Sequence, residues 1–197
     1  MDGFVVFLEE RRKHYRALLD QSRSPRYTPP HNLAPLFNPM HLHTSDLPSQ
    51  RNQLIKPLET YAQDFAYTEA SNIEAKIANI VLPFRNMQIS SSTTKTLNSA
   101  MRRLRKQATR ENLKKIDSIY EAAKDLGAAH PNVEGDILNV TDQIGEYLVE
   151  FFNKIAFVVP LVTDAITWIA DMAELIKHIF CAIRDWIGSW FLEPGTL

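Results

Sequence analysis

Apolar side chains recur at steps of three to five residues along most of this chain, and that period commits it to α-helices. Leu97, Met101, Leu104, Ala108, Leu113, Ile116, Tyr120 and Ala123 form one such stripe, and Leu54, Leu58, Tyr61, Phe65, Ile73, Ile77 and Ile80 form another. Only six of the 197 residues are glycine, too few for a turn-dense β fold. The expected class is all-α, a bundle of about four to five helices with a proline-rich connection after the first.

Punctuation residues set the expected boundaries. A first helix is read from Asp2 to Gln21, with Phe4, Leu8, Tyr15, Leu18 and Leu19 on one side. Residues 22–50 hold six of the eleven prolines, each of which removes a backbone donor and bars its predecessor from helix. This stretch is read as an extended linker, either pinned to the surface or loose, with Leu33, Leu36, Phe37, Met40 and Leu42 as the apolar residues that could seat it in a groove. Residues 51–197 are read as the bundle domain. Its first helix runs from Gln50 to Val81, starting later or kinking at Pro57, and Pro83 ends it. The next runs from Thr94 to Leu126 with Gly127 as C-cap. A long pattern then reaches Leu192, divided at Pro160 by a kink or by a new helix start.

The most unusual stretch is Ala156 to Phe191. Asp164, Asp171, His178 and Asp185 lie seven apart and make a narrow polar line, while most of the remaining circumference is apolar. Such a helix belongs at a bundle centre, at a membrane interface, or across a bilayer. Aspartates within the apolar run disfavour the last, at about 2.5–3.5 kcal/mol each on insertion scales. The residues expected to serve self-association or membrane contact are Phe157, Leu161, Trp168, Met172, Ile176, Ile179, Phe180, Ile183, Trp186 and Trp190.

Charge is unevenly spread. Residues 83–131 carry ten lysines and arginines against four acids, and residues 132–197 carry three against ten. The simplest expectation is that these segments pack antiparallel and complement each other. The sharper one is that Arg102, Arg103, Arg105, Lys106, Arg110, Lys114 and Lys115 contact phosphates of nucleic acid or lipid headgroups. No aromatic residue interleaves with them in the sequence, so base stacking is not indicated.

Catalytic and cofactor signatures are missing from the sequence. The glycines build no phosphate loop, and no Cys or His spacing matches a zinc site. His31, His41 and His43 are read as solvated loop histidines. Cys181, one turn after His178, is read as a buried core cysteine rather than a nucleophile. No enzyme, cofactor, metal site or small-molecule substrate is expected. A single cysteine and an N-terminus with acids before its basic residues suggest no secretory route, so an intracellular protein is expected, cytoplasmic or peripheral to a membrane. Asn139-Val140-Thr141 is then a chance match to a glycosylation acceptor.

Ile144-Gly145-Glu146-Tyr147-Leu148-Val149-Glu150-Phe151-Phe152, then Pro160, then Thr163-Asp164-Ala165-Ile166, then Ile169-Ala170-Asp171-Met172-Ala173-Glu174-Leu175-Ile176 resembles the closing helices of N-terminal domains in fungal NLR-like (STAND) proteins, the "goodbye"- and HeLo-type helical domains. The resemblance is confined to the C-terminal third, and no NTPase domain accompanies it. It implies a catalytically inert bundle that signals through oligomerisation and membrane engagement. It assigns a role to no individual residue. The functional expectation is a non-enzymatic interaction or signalling module working through its apolar C-terminal helix. The alternative is a nucleic-acid-binding or viral accessory protein using the basic helix around residues 95–115.

Overall fold

The computed structural model describes residues 3–20, 49–84, 91–165 and 172–190. Within them the chain is an all-α bundle: α1 (Gly3–Asp20), α2 (Ser49–Val81), α3 (Ser91–Ala129), α4 (Glu134–Ala165) and α5 (Met172–Trp190), with short 3-10 turns at Leu82–Phe84 and Pro131–Val133. The proline-rich linker expected over 22–50 lies almost wholly outside the described residues, apart from Ser49 and Gln50, which already belong to α2.

Helix α4 is the hub, because it packs against all four of the others. Its buried face is correspondingly broad: Ile137, Val140, Ile144, Tyr147, Leu148, Phe151, Phe152, Ile155 and Val158. Helix α1 joins the same core through Phe4, Leu8, Tyr15 and Leu19, lying on α3 and α4. Helices α2 and α3 also pack on each other and on α4, so α1 to α4 form a mutually supported set. Helix α5, like α1, rests on two others, α2 and, less extensively, α4.

Helix α2 matches the expected span from Gln50 to Val81 to within a residue, and Pro57 does not delay its start, since it runs through from Ser49. The carbonyl that loses its amide partner there belongs to Gln53, and both residues are exposed, so water can satisfy it. Two other boundaries differ from expectation. Gly127 is not a C-cap; it is buried inside α3, which continues to Ala129. A Cβ at that position would lie 2.2 Å from the ring of Phe4, so glycine serves close helix approach there rather than chain reversal. Position 160 starts no new helix, because α4 continues to Ala165. The expected single helix from Ala156 to Phe191 is therefore the end of α4 and the whole of α5, with 166–171 outside the described residues.

Gly145 makes a second close approach, to a side chain less able to yield. A Cβ there would stand 2.5 Å from two ring carbons of Tyr15 and 2.6 Å from its Cγ. Cγ sits at the root of a fully buried side chain, so the ring cannot swing aside. Alanine's better helix propensity contributes about 1 kcal/mol at most. Gly145→Ala is expected to lower stability by about 1–3 kcal/mol through overpacking, measured by urea unfolding. Gly127→Ala is expected to do less, because it meets only the far edge of Phe4.

Candidate functional site

Two surfaces and one buried cluster hold the residues that matter. The first surface is α5. Ile176, Phe180, Ile183 and Ile187 are buried, and Leu175, Ile179 and Trp186 pack beside them. The order of residues explains this seat: 176, 180, 183 and 187 follow the four-three-four step that keeps one helical stripe facing a neighbour. Trp186 stacks on Tyr147 of α4 with ring centroids 5.4 Å apart and planes 16° apart. The ammonium of Lys154 lies 4.7 Å from the same indole. Arg184 donates to Glu74 of α2 at 2.5 Å, and its other nitrogen to Cys181 Sγ at 3.6 Å.

Of the expected self-association residues, Ile176, Phe180 and Ile183 thus lie in the core and Ile179 and Trp186 at its margin. The side chains of Phe157, Leu161, Trp168, Met172 and Trp190 lie outside the described set. Cys181 is exposed, not buried as its neighbours suggested, because it points away from the 176–187 stripe. His178, also exposed, pairs with Glu174 at 3.5 Å. Among the described residues no helix is long and apolar enough to cross a membrane. The apolar run from Ile155 to Ala173 passes through 166–171, outside that set.

The second surface is the outer face of α3. Arg102, Arg103, Lys106, Arg110 and Lys114 are exposed, while Arg105 and Lys115 are half-buried. Lys114 pairs with Glu111 at 3.2 Å. Two of the acids further along the same helix, Asp117 and Glu121, are engaged by α1. Asp117 accepts from Arg12 at 2.9 Å and also from Arg16, and Glu121 accepts from Arg12 at 2.7 Å. Burial pushes the Asp117 carboxyl up, but the hydrogen bonds and charges of Arg16 and Arg12 outweigh it and hold the group below the usual carboxylate range. Helices α3 and α4 do pack together, yet the counter-charges that reach α3 come from α1. Arg102, Arg103, Lys106 and Arg110 form no ion pair among the described residues.

Tertiary packing also brings an aromatic to this surface. Lys115 Nζ lies 3.1 Å from the ring centroid of Tyr61 and 5.0 Å from that of Phe65, both on α2. Tyr61 remains 43% exposed. Nothing in the local sequence of α3 announces it.

The buried cluster joins α1 to α4. Arg11 Nε donates to Asp142 at 2.6 Å, with only 7% and 14% of the two side chains exposed. Burial pushes the Asp142 carboxyl up to about 7; Arg11 pulls it back in part, and Glu146 adds to the rise. Its second oxygen, Oδ1, is buried without a hydrogen-bond partner, which is consistent with that direction. An open cleft of about 190 Å³ lies alongside, lined by residues that include His14, Tyr15 and Glu146. Among the described residues no three His, Cys, Asp or Glu side chains are arranged to hold a metal ion. Nothing in the cluster resembles a nucleophile held by a base. The pattern of α1 hinted at none of this, since Arg11, Arg12 and Arg16 have partners more than a hundred residues away.

Compared with protein-family models, with curated proteins and with solved structures, the chain finds no match.

Proposed function

We propose that this protein is a non-enzymatic helical interaction module whose working element is α5. The helix leaves its seat on α2 and α4 and offers its apolar stripe to a second copy of the chain or to a membrane surface. The supporting observation is that α5 rests on only two helices, α2 and α4, and presents one continuous apolar stripe to them.

The magnitude of the step decides what kind of event this is. Exposing Ile176, Phe180, Ile183 and Ile187 costs about 1.5–3 kcal/mol each, on the order of 6–12 kcal/mol together. Release in isolation is therefore rare. It becomes near-balanced only when the same stripe is buried again in a partner or at a bilayer interface. The module is thus closed at rest and opened by its target.

Arg184 and Glu74 form the polar latch on this seat, both largely shielded from water. Glu74→Arg replaces an attraction by a repulsion and is expected to weaken docking by about 1 kcal/mol, roughly a fivefold gain in the released population. The test is liposome co-sedimentation together with light scattering, comparing the wild type, Glu74→Arg, and a chain ending before residue 166. The reading predicts that the wild type pellets or self-associates, that Glu74→Arg does so more strongly, and that the truncated chain stays folded and soluble. If all three remain monomeric and ignore lipid, the reading is discarded.

A further inference from the structure

We propose that the N-terminal half of α3 is a docking surface for the phosphate backbone of a nucleic acid, bound without sequence preference. It lies on a different helix from α5, so either proposal can fail alone.

The case begins with what happens to the charges of α3. That helix carries a basic half and an acidic half on its outer side. Most of the acidic half is neutralised internally, Asp117 by Arg12 and Arg16, and Glu121 by Arg12, which leaves only Asp125 without an ion pair among the described residues. The basic half receives nothing comparable: Lys114 has its neighbour Glu111, while Arg102, Arg103, Lys106 and Arg110 have no ion-pair partner among the described residues. Internal pairing therefore sharpens the external field instead of cancelling it. Arg103, Lys106, Arg110 and Lys114 follow three- and four-residue steps, which align them along one side of the helix. From Arg102 to Lys114 the row extends about 18 Å along the axis at 1.5 Å per residue.

A phosphodiester polymer fits this row better than a bilayer does. Duplex nucleic acid presents about one negative charge per 1.7 Å of axis, so a linear array of cations meets several phosphates at once. Three of the five exposed cations are arginines, which grip phosphate oxygens through two parallel N–H bonds. A bilayer contact of useful strength also needs apolar side chains to insert. Among the described residues the exposed large hydrophobic ones are Val6, Phe7, Tyr61 and Leu82, none of them on α3. The nearest to the row is Tyr61, held beside it by Lys115. A partly exposed aromatic at the end of a cation row suits a base edge or sugar more than an acyl chain.

The test is fluorescence anisotropy of the full chain with a labelled 20-nucleotide RNA and a labelled 20-base-pair DNA, at 50 and 200 mM KCl. Vesicles of phosphatidylcholine with phosphatidylserine serve as the competing surface. With about four phosphates engaged, affinity should fall roughly 150-fold for the duplex and about 50-fold for the single strand between the two salt concentrations. The triple variant R102E/R103E/K106E should lose binding by a hundredfold or more at 50 mM while keeping the wild-type circular dichroism spectrum. Lys13→Glu, an exposed charge reversal on α1, should change binding less than threefold. The proposal is overturned if neither nucleic acid binds at 50 mM. It is equally overturned if the triple variant binds like the wild type, or if only the anionic vesicles compete for the row.

Discussion

At pH 8, where its carboxyl is ionised, replacing Asp142 with alanine is expected to lower the unfolding free energy by about 3–5 kcal/mol, because it strands the buried guanidinium of Arg11 without its carboxylate. That is a large share of the roughly 5–15 kcal/mol that holds a typical domain folded. The pair itself is a different matter. Removing both charges with apolar side chains of similar volume, Arg11→Met with Asp142→Leu, is expected to be nearly neutral or stabilising, since it removes the desolvation cost along with the attraction. Urea unfolding of the wild type, Asp142→Ala and the double variant separates the two effects. A single-variant loss below 1 kcal/mol would mean that Arg11 finds water or another partner.

The same residue predicts a pH dependence with a definite sign. The folded protein holds the Asp142 proton up to about pH 7, against an ordinary value of 3.8, because burial penalises the anion. The folded state therefore binds more protons than the unfolded chain between those values. The stability contributed by this group is present at acid pH and lost as pH rises through 7. His14 works the other way. Burial lowers its pKa, so its contribution is present above the ordinary value of 6.5 and is lost as pH falls through the folded value. Comparing the wild type with Asp142→Ala cancels the histidine, which both chains share. The stability difference between them should be larger at pH 5 than at pH 8, and a flat or inverted difference would refute the assignment.

Phe180→Ala should be the second large effect, about 3–5 kcal/mol, since a fully buried aromatic is lost from the centre of the α5 seat. Its location makes the readout informative. Hydrogen exchange should accelerate across α5, while the amides of α1 to α4 keep most of their protection. Tryptophan fluorescence should change as Trp186 leaves its stack on Tyr147. The alanine also removes an anchor from the stripe offered to the target, so binding is read from Glu74→Arg and only the loosening of α5 from Phe180→Ala. If protection falls equally in all helices, α5 is an integral part of one cooperative core, and its proposed release fails with it.

Several elements were legible in the sequence because their signal is carried by large apolar side chains at helical spacing. The stripe of α3 matches the buried set at Leu97, Met101, Leu104, Ala108, Ile116, Tyr120 and Ala123. In α2 the same reasoning found the helix but misplaced its centre. Tyr61 is exposed, and Leu54, Phe65 and Ile80 stand at the margin, while Ala62, Ala66 and Ala70 are fully buried. Alanine carries a weak hydrophobic signal, yet at four-residue steps it lets neighbouring helices approach closely. The distinction between rim and centre lies in the neighbours' shape, which periodicity does not encode.

The sequence by itself determined the helical class and the uneven distribution of charge, because period and composition are local properties that no later packing can undo. Only the tertiary structure decided which helix is the hub, since α4 and α5 are both apolar over broad faces and differ in how many partners surround them. It alone decided that Gly127 and Gly145 serve close contact with Phe4 and Tyr15. It also decided that α1 spends Arg12 and Arg16 on Asp117 and Glu121 of α3 and leaves the basic row open. These are relations between residues about a hundred or more positions apart, set by which surfaces fit together and how charges find partners once the core has closed.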